Sequence, residues 1–150
     1  MLSTEELKNY VYGQIQNRLG VISNNNLFFA EGNDNSVEGT YIFTKNNEYH
    51  ILFTEKGKIR SEVVTSKERE VLWNALEIFS TDIIMDFAIK NREEGKDFRR
   101  VLFAKEIEIF SLFGRDFEKR KVDEINEILK QNPYNGLEVP IEVMAVDGSL

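Results

Sequence analysis

The sequence predicts an α+β fold in which an antiparallel three- to four-stranded meander packs against an N-terminal helix and a C-terminal bundle of three helices. Apolar residues recur at every fourth position near the N-terminus, three β-branched and aromatic runs follow, and helical spacing returns after them. A length of 150 residues fits one domain, so we expect a single domain over residues 1–150. Its expected parts are a helix and loop (1–39), the meander (40–64), the helices (65–134) and a tail (135–150).

The first element is an amphipathic helix over residues 4–19. Two acids stand in its first turn, its apolar residues are four positions apart, and Gly20 follows as a helix terminator. The stretch "LFFA" then predicts a short strand, and "EGNDNSVEG" is typical of a loop.

Three strands are expected next, at residues 40–44, 48–54 and 58–64. They are rich in β-branched and aromatic residues, and the short connections "KNN" and "EKG" suit tight hairpins. Consecutive hairpins form an antiparallel meander whose one face is covered by helices.

A long helix is predicted after the meander. Thr65 and Glu68 have the spacing of a capping box, and an apolar stripe continues towards Arg92. Gly95 interrupts the helical pattern, so we expect the helix to end near Arg92.

Two further helices complete the expected bundle. Asp97 can cap a helix over residues 98–113, and Asp116 can cap the last amphipathic helix. Pro133 terminates that helix, and we expect residues 135–150 to form a tail that either adds a short edge strand or frays.

Composition excludes several kinds of site. The chain has no Cys, which rules out disulfides, thiolate nucleophiles and zinc sites built on sulfur. A net charge of −7 disfavours nucleic acid as the partner, because phosphate binding relies on clustered Lys and Arg. No secretory signal and no apolar run long enough to span a membrane is recognisable, so we expect a cytoplasmic protein with no membrane partner.

The residues predict no catalytic, cofactor-binding or metal-binding group. His50 is the only histidine, and its position within a strand favours a packed residue over a catalytic base. The acids lack the loop spacing of a calcium site, and no glycine-rich phosphate loop occurs. An uncharacterised enzyme centred on His50 remains an alternative.

Arg99 and Arg100 stand at the start of the most apolar helix, and two interpretations are open. They could bind an anionic ligand with the free N–H groups of the helix N-terminus, as a small-molecule-binding or adaptor module would. Alternatively, a guanidinium could pair with Asp82 or Asp86 on the preceding helix and fix the angle between the two helices. The residues favour the second interpretation.

Several features occur in order along residues 40–134. The most distinctive is the run "REEGKDFRRVLFAKEIEIF" at residues 92–110, and "ILKQNPY" ends the last helix. The residues concerned are Tyr49, His50, Glu55, Gly57, Trp73, Arg92, Gly95, Asp97, Arg99, Arg100 and Lys105. In these features the chain resembles the immunity proteins of bacterial polymorphic toxin systems, most closely the immunity protein 63 family.

The resemblance implies a protein that acts without catalysis. Such an immunity protein binds its cognate toxin in the cytoplasm of the producing bacterium and neutralises it, and the motif residues would hold the scaffold together. Because many toxin domains are basic, acidic surfaces are the expected contacts. The predicted toxin-binding residues are Glu31, Asp34 and Glu38 in the polar loop and Asp123, Glu124 and Glu127 in the last helix.

Overall fold

The computed structural model describes residues 1–20, 26–32 and 37–135, and these residues form four helices and a four-stranded sheet. The predicted α+β class is confirmed. The chain divides into two compact units, one ending at Phe79 and the other beginning at Ser80. The elements are α1 (Thr4–Leu19), β1 (Leu27–Phe28), β2 (Gly39–Lys45), β3 (Glu48–Glu55), β4 (Lys58–Thr65), α2 (Glu68–Lys90), α3 (Phe98–Ser111) and α4 (Arg115–Gln131).

In the first unit, α1 forms where the apolar spacing predicts it. Its N-cap is Ser3, whose hydroxyl accepts a hydrogen bond from the Glu6 N–H, while the Glu6 carboxylate accepts from the Ser3 N–H. Gly20 ends the helix with φ 73°, and its N–H donates to the Gln16 carbonyl. The helix therefore has the ends that its sequence predicts.

The sheet has the strand order β1-β2-β3-β4. Two-residue turns join its hairpins. Both Asn46 and Asn47 have positive φ (54° and 60°), as do Lys56 and Gly57 (54° and 73°), which matches the right-handed twist of the flanking strands. The three predicted strands are antiparallel as expected, whereas β1 pairs with β2 in parallel.

Alternation along the strands gives the sheet two different faces. On one face, Tyr41, Phe43 and Leu52 form a buried cluster against Phe28. The opposite face carries Ile42, which is fully buried. The remaining core of this unit comes mainly from the helices and includes Leu7, Val11, Ile15, Val71, Leu72, Trp73, Leu76 and Phe79.

The start of α2 lies three residues later than predicted. Thr65 is the last residue of β4, where it pairs with Tyr49, and its hydroxyl accepts a hydrogen bond from the Lys67 N–H at 3.1 Å. Because Thr65 belongs to the strand, the helix begins only at Glu68. It ends at Lys90, two residues before Arg92. The prediction that Thr65 caps this helix was wrong.

The second unit contains α3 and α4. Asp97 caps α3 as predicted, by accepting a hydrogen bond from the Arg99 N–H. The cap position of α4 is Gly114, with φ 122° and no side-chain hydrogen bond, so Asp116 lies inside the first turn and not at the cap as predicted. A core cluster between α3 and α4 comprises Phe103, Ile107, Ile125, Leu129 and Tyr134.

Candidate functional site

Asp97 is the centre of a hydrogen-bond cluster at the start of α3. Its Oδ1 accepts from the Arg99 backbone N–H at 3.0 Å and from Nε at 3.2 Å, and its Oδ2 accepts from Nη2 at 2.9 Å. The Asn135 N–H donates to the same Oδ2 at 3.2 Å. The Arg99 side chain, together with these N–H groups, lowers the pKa of Asp97 from 3.8 to about 2, although burial opposes that change.

Arg99 connects this cluster to the end of α4. Its Nη1 donates to the Asn132 carbonyl at 2.8 Å, and its Nη2 donates to the Pro133 carbonyl at 2.9 Å. These carbonyls follow the last helical residue, where backbone acceptors lack partners within the helix. We call Asp97, Arg99 and residues 132–135 the arginine clasp.

The clasp differs from the pairing expected for the two arginines. Asp82 and Asp86 on α2 were the predicted partners, but Arg99 binds Asp97, two residues before it. Asp86 instead pairs with Lys90 on its own helix at 2.9 Å. Arg99 thus ties α3 to α4, because a planar guanidinium can serve a carboxylate and two carbonyls at once.

Tyr134 lies under both guanidinium groups. Its ring centre is 4.6 Å from the Arg100 guanidinium carbon and 5.6 Å from that of Arg99. The ring is buried in the α3–α4 cluster, next to Phe103 at 6.3 Å. Each cation–π contact of this kind contributes about 0.5–2 kcal/mol. The two adjacent arginines therefore have an aromatic platform within the fold.

An open groove of about 450 Å³ runs beside Arg100, between the end of α2 and α3. Lys105 crosses it, with its Nζ 4.3 Å from the centre of the Phe87 ring and 3.1 Å from Glu108. Three cationic side chains line the groove (Lys96, Arg100 and Lys105) together with three acidic ones (Glu93, Asp97 and Glu108). This balance does not favour an anionic ligand, so the groove gives no support to the small-molecule alternative.

His50 and Tyr49 point to opposite faces of the sheet. The His50 ring stacks on Phe43 at 5.0 Å, and its two nitrogens lie 3.3 Å from the Glu62 carboxylate and 3.2 Å from the Lys45 carbonyl. Both nitrogens have partners inside the sheet. That arrangement supports a structural role for His50.

Tyr49 is fully buried, and burial raises the pKa of its hydroxyl. This hydroxyl accepts a hydrogen bond from the Leu2 N–H at 2.9 Å. The Thr44 hydroxyl donates to the Leu2 carbonyl at 2.8 Å, so the segment before α1 is held at the sheet.

The other motif residues, Glu55, Gly57, Trp73, Arg92 and Gly95, lie in turns, in the core or near the ends of strands and helices. Gly57 and Gly95 have φ of 73° and 81°, a region that favours glycine. Trp73 is 1% exposed. Glu55 lies 3.9 Å from Arg60 across the β3–β4 turn, and the Arg92 guanidinium stacks over the Phe98 ring at 5.4 Å.

The loop acids predicted to bind a toxin are only partly described. Glu31 forms an ion pair with Lys45, and Glu38 is exposed. Asp34 lies outside the described residues. The loop is attached to the sheet, because the Val37 carbonyl accepts hydrogen bonds from the hydroxyls of Tyr41 and Thr54.

The predicted acids of α4 are each paired with a lysine of the same helix. Their ion pairs are Asp123–Lys119 at 2.9 Å, Glu124–Lys121 at 3.2 Å and Glu127–Lys130 at 3.7 Å. The helix carries five acids and five bases in total. Its surface is therefore less acidic than the three carboxylates alone suggest.

The described ranges contain neither a cluster of metal-binding side chains nor a membrane-spanning helix. Residues 1–20, 26–32 and 37–135 contain no group of three or more His, Asp or Glu side chains placed to hold a metal ion. No helix in that part of the chain is both long and apolar enough to cross a membrane.

Sequence reasoning missed two features of the site. Tyr134 was noted only as the end of a motif, since nothing local to it shows that two arginines 34 and 35 positions earlier stack on its ring. The near-complete exposure of β4 was also missed, although its alternation of Lys, Arg and Glu with apolar residues is typical of an edge strand.

Comparison with known proteins identifies the family. A family model described as immunity protein 63 matches residues 45–127, more than half of the chain. No curated protein and no solved structure matches the chain significantly. The matched segment includes β3 and β4, Trp73, and the Asp97–Arg99 half of the arginine clasp. The chain belongs to the immunity protein 63 family.

Proposed function

We propose that this protein is a non-catalytic immunity protein, which binds the cognate toxin of a polymorphic toxin system and neutralises it in the cytoplasm of the producing bacterium. The observation that carries the proposal is the family match over residues 45–127. An immunity protein of this kind acts by covering a surface of the toxin. It therefore needs a stable binding surface and does not need a reactive centre.

The contacts of the motif residues support this proposal. Asp97 and Arg99 bind each other and the end of α4, His50 binds within the sheet, and Trp73 is buried. These contacts are internal to the fold. Residues that are occupied in this way stabilise a scaffold, which leaves recognition to the exposed side chains.

We further propose that acidic side chains make contacts with the toxin. The loop provides Glu31, Asp34 and Glu38, and α4 provides Asp123, Glu124 and Glu127. The net charge of −7 favours a basic partner and would speed its association. Asp123, Glu124 and Glu127 each pair with a lysine, whereas in the loop Glu31 pairs with Lys45 and Glu38 is exposed, so we expect the loop acids to have the larger effect.

The function is tested by expressing the chain together with the toxin domain encoded beside its gene. We expect restored growth, co-purification of the two proteins and a dissociation constant measurable by calorimetry. A toxin that still kills in the presence of the folded chain, with no complex at micromolar concentrations of both proteins, would refute the proposal.

The two acidic surfaces are tested separately. Glu31→Lys combined with Glu38→Lys should slow association and weaken its dependence on salt, because rim charges act mainly on the encounter rate. Asp123→Lys combined with Glu127→Lys should have a smaller effect. Asp82→Lys combined with Glu94→Lys, at exposed acids outside both surfaces, is the control, because it changes the net charge by the same amount as each of the other pairs. Equal association rates for all three variants would reject both surfaces.

A further inference from the structure

Tyr41 of β2 holds the polar loop at both of its described ends. Its hydroxyl donates to the Val37 carbonyl at 2.5 Å, next to Glu38. Its ring lies against Gly32, the residue after Glu31, and a methyl group added to Gly32 would overlap the ring carbons. One side chain of the sheet therefore contacts the loop beside each of the two described acids.

The Tyr41 hydroxyl is not required by the core around the ring. Tyr41 is 7% exposed, and its ring stacks on Phe28 at 4.9 Å, in the cluster with Phe43 and Leu52. A phenylalanine would fill this place equally well, as Phe43 does two residues further along the strand. Burying a hydroxyl is unfavourable unless it finds a partner. Here the partner is a carbonyl of the loop, so the hydroxyl stabilises the loop and not the sheet.

A second buried hydroxyl reinforces the attachment at Val37. Thr54 of β3 is fully buried, and its hydroxyl lies 3.2 Å from the Val37 carbonyl and 3.3 Å from the Gly39 carbonyl, so one donor is shared between them. Two strands thus fix the backbone at Val37 before any partner is present. A contact surface that is already ordered loses less conformational entropy on binding, which strengthens the complex.

Val37 combines this fixed backbone with an exposed apolar side chain. It is 71% exposed, more than any other large apolar side chain in residues 1–20, 26–32 and 37–135. Because valine is branched at Cβ, its side chain also has few rotamers to lose. Apolar contacts at a pre-ordered position act mainly on the dissociation rate, whereas nearby charges act on the encounter rate. Val37 and the loop acids would therefore contribute to different steps of binding.

We propose that Tyr41 is a positioning residue for toxin recognition, which holds Val37 where it can enter an apolar pocket of the toxin. This inference rests on the proposed function and specifies how the polar loop contributes to it. Because Glu31 and Glu38 stand on either side of the held segment, the pocket that fits is bordered by basic side chains. Tyr41 is itself buried and acts only through the loop backbone that it holds.

The substitution Tyr41→Phe tests the hydroxyl and keeps the ring. The probe is an inactive form of the toxin domain encoded beside the gene, and surface plasmon resonance gives both rate constants. We expect the dissociation rate to rise about three- to tenfold, as for the loss of one hydrogen bond, and the association rate to change less than about twofold. A variant that is only less stable would not show this change, because the dissociation rate is a property of the folded complex alone.

Tyr49→Phe is the matched control. Tyr49 is a fully buried tyrosine of β3, pairs with Thr44 near the β2–β3 turn, and accepts a hydrogen bond from the Leu2 N–H. Removing its hydroxyl should leave both rate constants within about twofold of wild type. An unchanged dissociation rate for Tyr41→Phe, or equal increases for the two variants, would overturn the inference while the proposed function stands. No complex with the wild-type chain would overturn both.

Val37→Ala provides an independent test, because shortening an exposed side chain leaves the core intact. We expect it to raise the dissociation rate. Combined with Tyr41→Phe, the increase should be smaller than the product of the two single increases, because both substitutions affect one contact. An unchanged dissociation rate for Val37→Ala would overturn the inference. So would a double variant that shows the full product, since Tyr41 would then not act through Val37.

Discussion

Replacing Asp97 by Asn tests whether its charge holds the start of α3 to the end of α4. The amide keeps the size of the side chain and can still accept the capping hydrogen bond from the Arg99 N–H. The substitution removes the ion pair with the Arg99 guanidinium. The Asp97 side chain that makes this pair is only 7% exposed. Since folding lowers the pKa of Asp97 from 3.8 to about 2, linkage gives a loss of about 2 kcal/mol at neutral pH.

The lowered pKa also determines how the loss of stability in Asp97→Asn depends on pH. A carboxyl whose pKa is lower in the folded state stabilises the protein fully above its unfolded pKa, and the contribution is lost as pH falls through the folded value. The difference in the free energy of unfolding between wild type and Asp97→Asn should therefore be largest above about pH 5. It should shrink steadily from there towards pH 2.

Urea unfolding followed by far-ultraviolet circular dichroism measures this difference at several pH values. Asp86→Asn is the matched control, because Asp86 pairs with Lys90 on the same helix and is 65% exposed. Such a pair contributes no more than about 0.5 kcal/mol. Equal losses for the two variants, or a loss for Asp97→Asn that is the same at pH 7 and pH 3, would refute the role of the clasp.

Three further substitutions follow from local geometry. Gly32→Ala should lower the free energy of unfolding by about 1–3 kcal/mol, because the added methyl group would overlap the Tyr41 ring; an unchanged urea midpoint would contradict this. Lys121→Met should lower the free energy of unfolding by about 1–3 kcal/mol, because it removes only the cation of a largely buried ion pair and leaves the carboxylates of Glu106 and Glu124 in place; an unchanged urea midpoint would show that this pairing contributes little. Asn47→Gly should stabilise the β2–β3 hairpin by about 0.5–1 kcal/mol because φ is 60° there, and a lower melting temperature would exclude that explanation.

The parts of the fold that depend on near neighbours could be read from the sequence. The fourfold spacing of α1 and the two-residue turns at Asn46–Asn47 and Lys56–Gly57 are local signals, and nothing distant competes with them. The errors occurred where two local interpretations compete. Thr65 suits both a helix cap and a strand end, and its pairing with Tyr49 decides the outcome.

The candidate site shows the same limit. The Asp97 cap was predictable because its hydrogen bond spans two residues, whereas Arg99 donates to carbonyls 33 and 34 positions away. A single sequence contains no signal for such a contact, since the acceptors are backbone atoms that every residue carries. The nearest acids on a neighbouring helix were the natural prediction, and for Arg99 the structure shows Asp97 and the end of α4 instead.

The distribution of charge along the chain indicates which acids would attract a toxin from a distance. Residues 101–150 carry a net charge of −4, but residues 136–150 alone account for −3 of it, and α4 is neutral. Long-range attraction of a basic toxin would therefore come from the polar loop and the tail and not from α4, and it would act on the association rate. Glu31→Lys combined with Glu38→Lys should accordingly lower the association rate and leave the dissociation rate nearly unchanged. If the pair changed only the dissociation rate, the loop acids would act as contacts within the bound complex and not through long-range attraction.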